Sequence, residues 1–264
     1  MNKPGAEEAV PFISPKLRGW FAWYVRRYLR KHFNAVRLLT NAPPPASSSA
    51  AAVFYLNHPA WWDPLVAFHL ARTFFPSQQS FAPMDAAALQ KYGLLKRLGF
   101  FPVERGSLAG ARRFLRNADD ILSRPHQALW LTPQGRFTDI RERPVRFEPG
   151  LGHLASRLPG VAFVPLALEF VWWHERSPEV LVAFGPPVTL PQGQPAGVMN
   201  THLEEALARA QDQLANASLL REPAQFSTLL SGRAGVGGIY DFCRQLCARA
   251  RGQDFDARHA SAPK

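Results

Sequence analysis

Five short apolar runs, Val53–Leu56, Phe100–Val103, Ala128–Leu131, Val161–Phe170 and Val180–Phe184, are set apart by stretches with helical spacing. Runs this short, without alternating polar residues, suit strands covered on both faces. Between them, Pro64–Phe75 reads as a helix with Asp63 in the cap position and proline in its first turn. Ser107–Leu122 reads as a helix capped by Ser107, and His202–Leu214, rich in Ala, Leu and Glu, as a third. A chain that alternates in this way is held to the α/β class, and the expected architecture is a mixed, mostly parallel sheet layered with helices.

Ahead of the first run, residues 15–39 interleave Trp20, Trp23, Tyr24, Leu29 and Phe33 with Arg26, Arg27, Arg30 and Lys31. This is the pattern of a basic, amphipathic helical arm. Such an arm either settles at a headgroup boundary, rings in the interface and cations on anionic lipid, or packs as a first helix with its arginines solvated. The stretch Asn41–Ala52 is a Pro/Ser/Ala connector. The expected division is therefore an arm and linker over 1–45, the main α/β domain over 46–220 and a helical extension over 221–264. The tail from Arg251 is polar and open to fraying.

The charge balance bears on partners rather than fold. With 31 Lys+Arg against 20 Asp+Glu the formal net charge is +11, which favours nucleic acid, anionic lipid or a phosphorylated substrate. No RNP-like aromatic strand, zinc-ligand array or helix-turn-helix pattern is present, so nucleic acid is not expected and an anionic membrane surface is. No apolar run reaches the roughly 18–20 residues that a spanning helix needs, and Glu7, Glu8 and Pro11 break up any signal-peptide core. The expected location is cytoplasmic, peripheral on the membrane face. Cys243 and Cys247, four apart on a helical pattern, suit packing in a reducing compartment, and no further ligands stand near them for zinc.

The chemistry concentrates in Asn57-His58-Pro59-Ala60-Trp61-Trp62-Asp63-Pro64, where a strand ends and a helix begins. A histidine there accepts a proton near neutral pH, and an aspartate on the first helical turn can fold back to hold one tautomer and stabilise the imidazolium. Taken alone, Asp63 is also a good helix cap and His58 an ordinary turn histidine.

Four blocks in order resemble the glycerolipid acyltransferase superfamily, which includes the lysophosphatidic acid acyltransferases. Its Asn-His-x-x-x-x-Asp block is matched by Asn57, His58 and Asp63, and its Gly-aromatic block ending in acid and arginine by Gly99-Phe100-Phe101-Pro102-Val103-Glu104-Arg105-Gly106. Leu131-Thr132-Pro133-Gln134-Gly135-Arg136 stands in place of the Phe-Pro-Glu-Gly-Thr-Arg loop. Val161–Leu166 resembles the strand with an embedded proline, and Phe184-Gly185-Pro186-Pro187 the turn that closes the family pattern.

The resemblance implies an O-acyltransferase of lipid metabolism in which His58, paired with Asp63, is general base for direct transfer without an acyl-enzyme. The donor is acyl-CoA or acyl carrier protein, a cosubstrate rather than a bound cofactor, and no metal is implied. The acceptor is a lysophospholipid or other lipid hydroxyl. Substrate binding falls to Glu104, Arg105, Gly106, Pro133, Gln134, Gly135 and Arg136. Arg105 and Arg136 have the planar donor geometry that grips phosphate, while a salt bridge between Glu104 and Arg105 is the plainer alternative for that pair.

The chain also departs from the pattern. Gln134 replaces the usual glutamate, Arg136-Phe137 replaces Thr-Arg, and Ala60 takes a position often filled by serine. These changes leave the acyl-transfer apparatus in place and the acceptor open. They also keep a second reading alive: a catalytically inactive, basic lipid- or nucleic-acid-binding module on the same fold.

Overall fold

Ser14 opens the first helix, α1 (Pro15–His32), by accepting the Leu17 amide N–H on its hydroxyl at 3.4 Å, and Pro15 occupies the first turn, where no donor is needed. The computed structural model describes residues 11–232, so Cys243, Cys247 and the tail from Arg251 lie outside the described residues. After α1 come β1 (Ala35–Leu39), β2 (Ala52–Leu56), α2 (Asp63–Phe74), β3 (Gln79–Asp85), α3 (Ala86–Lys91) and a 3₁₀ turn (Gly93–Leu98). The chain continues through β4 (Phe100–Val103), α4 (Leu108–Leu122), β5 (Gln127–Leu131), α5 (Gly150–Arg157), β6 (Ala162–Val171), β7 (Glu179–Phe184), α6 (Ala196–Leu219) and β8 (Phe226–Ser231).

The strands form one eight-stranded sheet in the order β4-β3-β5-β2-β6-β7-β1-β8. From β4 to β6 all neighbours run parallel. β7 is antiparallel to β6, β1 parallel to β7, and β8 antiparallel to β1. This is the mixed, mostly parallel α/β sheet that the alternation of runs predicts. β2 and β7 are buried at every residue because helices cover both faces, which is why they read as unbroken apolar runs. Phe54, Leu56, Val164 and Leu166 face the layer of α1 and α2, while Val53, Tyr55 and Phe163 face α4, α5 and the start of α6. Leu39, Ala167, Leu181 and Ala183 pack under the later turns of α6.

Residues 15–39 are helical only to His32. Beyond it β1 enters the sheet, with Val36 opposite Val180 of β7 and Leu230 of β8. Arg37 of β1 pairs with Glu179 of β7, whose carboxylate also accepts the Asn34 amide at 2.6 Å. The described part of 221–264 is likewise chiefly strand, β8, where a helical extension is expected from the sequence. β1 is apolar but for Arg37 and is hidden because it continues the helical pattern of α1, while β8 mixes polar residues with few apolar ones; their partners in the sheet decide both.

α1 has a buried apolar face and an open face that mixes aromatic and basic residues. Val25 and Leu29 are buried, and Phe21 meets Phe68 of α2 edge-on at 5.0 Å. On the open side Trp20 and Trp23 are 54% and 61% exposed. Among the described residues no helix is long and apolar enough to cross a membrane.

Candidate functional site

The site begins at the C-terminal end of β2, an inner strand of the parallel part of the sheet, where α/β architectures expose reactive groups. Asn57 extends the β2–β6 ladder with its side chain. Its Nδ2 donates to the Leu168 carbonyl at 2.9 Å and its Oδ1 accepts the Leu168 N–H at 2.8 Å. An asparagine amide carries the same donor and acceptor as a peptide group, so it fixes the chain one residue before the histidine.

His58 is then held on three sides. Its N–H donates to Gln134 Oε1 at 2.9 Å, its carbonyl accepts the Thr138 N–H at 3.0 Å, and its Nδ1 lies 2.6 Å from Asp63 Oδ2. With Nδ1 engaged, Nε2 is the nitrogen free to meet a substrate proton. The same Asp63 oxygen accepts the Ala60 N–H at 3.1 Å, while Oδ1 is buried without a partner. Asp63 is therefore not the helix cap. The cap position falls to Trp62, whose side chain makes no capping bond, and the carboxylate folds back onto the histidine instead. Because Ala60 contributes only its backbone, a serine there is not needed for this contact. Asp63 is 0% exposed, and burial pushes its carboxyl above the usual range, against the pull of the His58 and Ala60 hydrogen bonds.

The loop after β5 closes over this pair. Gly135 has φ +66° and donates to the Thr132 carbonyl at 3.1 Å; a Cβ there would be strained and would press the Glu148 side chain at 3.0 Å. The Pro133 carbonyl accepts the Glu148 N–H at 2.8 Å, tying the two ends of the loop together. Just past the turn, Phe137 lays its ring against the His58 imidazole, centroids 4.3 Å apart at a 40° tilt.

His58 and Asp63 stand in the wall of a largely apolar cavity of about 680 Å³, which runs between α1, α2, β3 and the 3₁₀ turn. Phe21, Phe68, Phe81, Leu98 and Phe100 line it, and Trp61, Tyr24, Tyr92 and Phe137 are exposed residues of the same lining. The volume falls within the roughly 300–1,000 Å³ typical of ligand pockets.

The residues expected to bind substrate divide. Arg105 lines the cavity and donates from Nη1 to the Gly135 carbonyl at 2.6 Å. Gln134 holds the His58 N–H with its side-chain Oε1, and Gly135 holds Arg105 with its backbone carbonyl. Glu104 does not pair with Arg105 but with Arg113 of α4, at 3.3 Å. Arg136 is paired with Glu142, and neither Glu104, Gly106, Pro133 nor Arg136 is part of the cavity lining. Gly106 has φ +71° and serves the turn before the Ser107 cap, whose hydroxyl accepts the Gly110 N–H at 2.9 Å. Pro165 and the Gly185–Pro187 turn line a separate groove of about 480 Å³ with His202 and Arg209 of α6. Sequence reasoning missed Phe137, whose only signal is its place directly after the third block, and Thr138.

A protein-family model described as Acyltransferase matches residues 35–169, just over half of the chain and the span that carries β1 to β6. Among solved structures the chain is similar to the crystal structure of the 1-acyl-sn-glycerophosphate (LPA) acyltransferase PlsC from Thermotoga maritima. The two share 16% identity over 75% of this chain and 82% of that one, with a TM-score of 0.45. No curated protein matches the sequence.

Proposed function

From the premise that the chain belongs to the Acyltransferase family, we propose that it transfers a fatty acyl group from a thioester to a lipid hydroxyl, with His58 as general base. The observation that carries this reading is a His–Asp pair at 2.6 Å set in the wall of an apolar cavity. The cavity accepts the hydrocarbon of the acyl chain. Its thioester carbonyl then lies near His58 Nε2, where the acceptor hydroxyl arrives. The imidazole takes the hydroxyl proton as oxygen attacks the carbonyl. The C–S bond then breaks, the imidazolium returns the proton to the leaving thiolate, and an ester and a free thiol result. Asp63 keeps the ring in the tautomer with Nε2 unprotonated and stabilises the transient imidazolium. A thioester is already activated, so positioning supplies much of the barrier reduction. Acyl-CoA and acyl carrier protein both fit this scheme as donors. Arg105, among the described residues the one guanidinium in the lining, is suited to a donor phosphate.

The reaction belongs at a membrane surface on the cytoplasmic side. Contact with a membrane is supported by an aromatic path from α1 to the cavity mouth: Trp20 stacks on Tyr24 at 5.9 Å, Tyr24 on Tyr28 at 5.5 Å, and Tyr28 meets Trp62, next to Trp61. Exposed tryptophans beside arginines are the residues that sit at headgroup level.

The test is incubation of the purified protein with labelled acyl-CoA, or acyl carrier protein, and a total lipid extract, followed by mass spectrometry. His58→Ala, folded by circular dichroism, is expected to lose about 10²–10⁴-fold in rate. Full activity in that variant would remove the base from the mechanism.

A further inference from the structure

The acceptor hydroxyl has to reach His58 Nε2, so the groups around that ring decide what can stand beside it. Phe137 stands against it at 4.3 Å and the buried Asp63 carboxyl at Nδ1, while Trp61 and Arg105 belong to the same cavity wall. Where the family pattern carries Thr-Arg after the glycine, this chain carries Arg136-Phe137. The guanidinium of Arg136 is paired with Glu142 and lies outside the lining. Arg105, which donates to the Gly135 carbonyl, is the group assigned above to the donor phosphate. Among the described residues the lining holds two carboxyl groups, Asp63 and Asp85, against that guanidinium. Asp85 is committed to the α3 cap, accepting the Ala87 and Ala88 N–H groups at 3.0 and 3.1 Å. A phosphomonoester, close to two negative charges at neutral pH, would leave water for an apolar ring and a wall with more acid than base.

Resting on the acyl-transfer reading above, we infer that the acceptor is a lipid alcohol with no phosphomonoester, and that Phe137 sets this specificity. The ring offers a flat apolar face to the carbon skeleton next to the reacting hydroxyl. It also shields the imidazole from water on that side. Since Phe137 is 58% exposed, its replacement opens no core cavity, and variants there are expected to fold.

The cleanest probe is a pair of acceptors that differ only in the phosphate: 1-monoacylglycerol and 1-monoacylglycerol 3-phosphate. The wild type is expected to favour the uncharged member in kcat/KM by about tenfold or more. Phe137→Arg should improve kcat/KM for the phosphorylated member by about tenfold, mainly through KM, because a guanidinium grips a phosphate oxygen pair. Phe137→Leu, apolar but not aromatic, should keep the wild-type preference. A wild type that prefers the phosphorylated acceptor, or a Phe137→Arg variant that leaves the ratio unchanged, overturns the inference. If neither member of the pair is acylated, the product from the total lipid extract decides: a phosphomonoester product overturns the inference and any other lipid ester supports it. No product from any lipid with either donor brings down the acyl-transfer reading itself, and the inference with it.

Discussion

Asp63 carries two demands that pull against each other. Its carboxyl is buried, which favours the neutral form, while its role beside His58 asks for the charged one. Burial raises its folded pKa above the unfolded value, so between the two values the folded protein holds the extra proton. The stability that comes from burying a neutral carboxyl is present at low pH and is lost as pH rises through the raised value. Asp63→Asn removes that charge without changing shape, since an amide oxygen still accepts from Ala60. In thermal denaturation, the variant should gain on the wild type as pH rises through the acid range, after which the difference should stay constant. Its transfer rate should nonetheless fall on the order of 10⁴-fold, because the amide cannot fix the imidazole tautomer or balance the imidazolium. An Asp63→Asn enzyme with near-wild-type kcat would show that the pair is structural only. This contact was legible in the sequence because its partners are five residues apart. Phe137 was visible there only as a departure from a pattern, since its meeting with His58 depends on how the loop after β5 turns.

The loop over 132–149 carries Gln134, Gly135, Phe137 and Thr138 to the histidine, and its far end is anchored by α6. Glu204, 7% exposed, accepts the Phe147 N–H at 2.8 Å and Arg146 Nη1 at 3.2 Å. Asn200, one turn earlier, accepts the Gly152 N–H at 3.1 Å, and Arg143 reaches Asp212 further along the helix. A cavity wall set this way is only as firm as α6 makes it. Glu204→Ala leaves a buried N–H without a partner and is expected to lower stability by about 1–3 kcal/mol in urea titration. Glu204→Gln should recover most of that, because one acceptor remains and the lost ion pair involves a largely exposed arginine. Equal losses in both variants would place the stabilisation in the charge instead. None of this is readable from the chain, where Glu204 and Phe147 stand 57 positions apart. The buried strands were readable, because continuous apolar runs follow from cover on two faces. β1, β3 and β8 were not. β3 is mostly partly exposed, β8 buries chiefly Phe226 and Leu230, and β1 hid inside a helical pattern of arginines and rings.

At the scale of the molecule, the excess of cations and the open face of α1 point to the same surface. α1 cannot be a detachable arm, because Val25 and Leu29 belong to the core and the chain runs from it directly into β1. Deleting 15–39 would take a strand out of the sheet, so a membrane role has to be tested by substitution on the open face. Trp20 and Trp23 suit that test, being exposed and on the side away from Val25 and Leu29. Trp20→Ala with Trp23→Ala should leave thermal stability nearly unchanged. Binding to vesicles of mixed anionic and zwitterionic lipid should weaken by roughly tenfold per tryptophan if each buries most of its ring in the interface. The arginines add a long-range attraction that salt screens over a Debye length of about 8 Å at physiological ionic strength. Raising salt should therefore weaken binding in both proteins by a similar factor, while the tryptophan effect persists at high salt. If the double variant binds as the wild type does at every ionic strength, the rings are not in the interface. The attraction would then be electrostatic alone, and the cavity mouth would meet its lipid some distance from the bilayer.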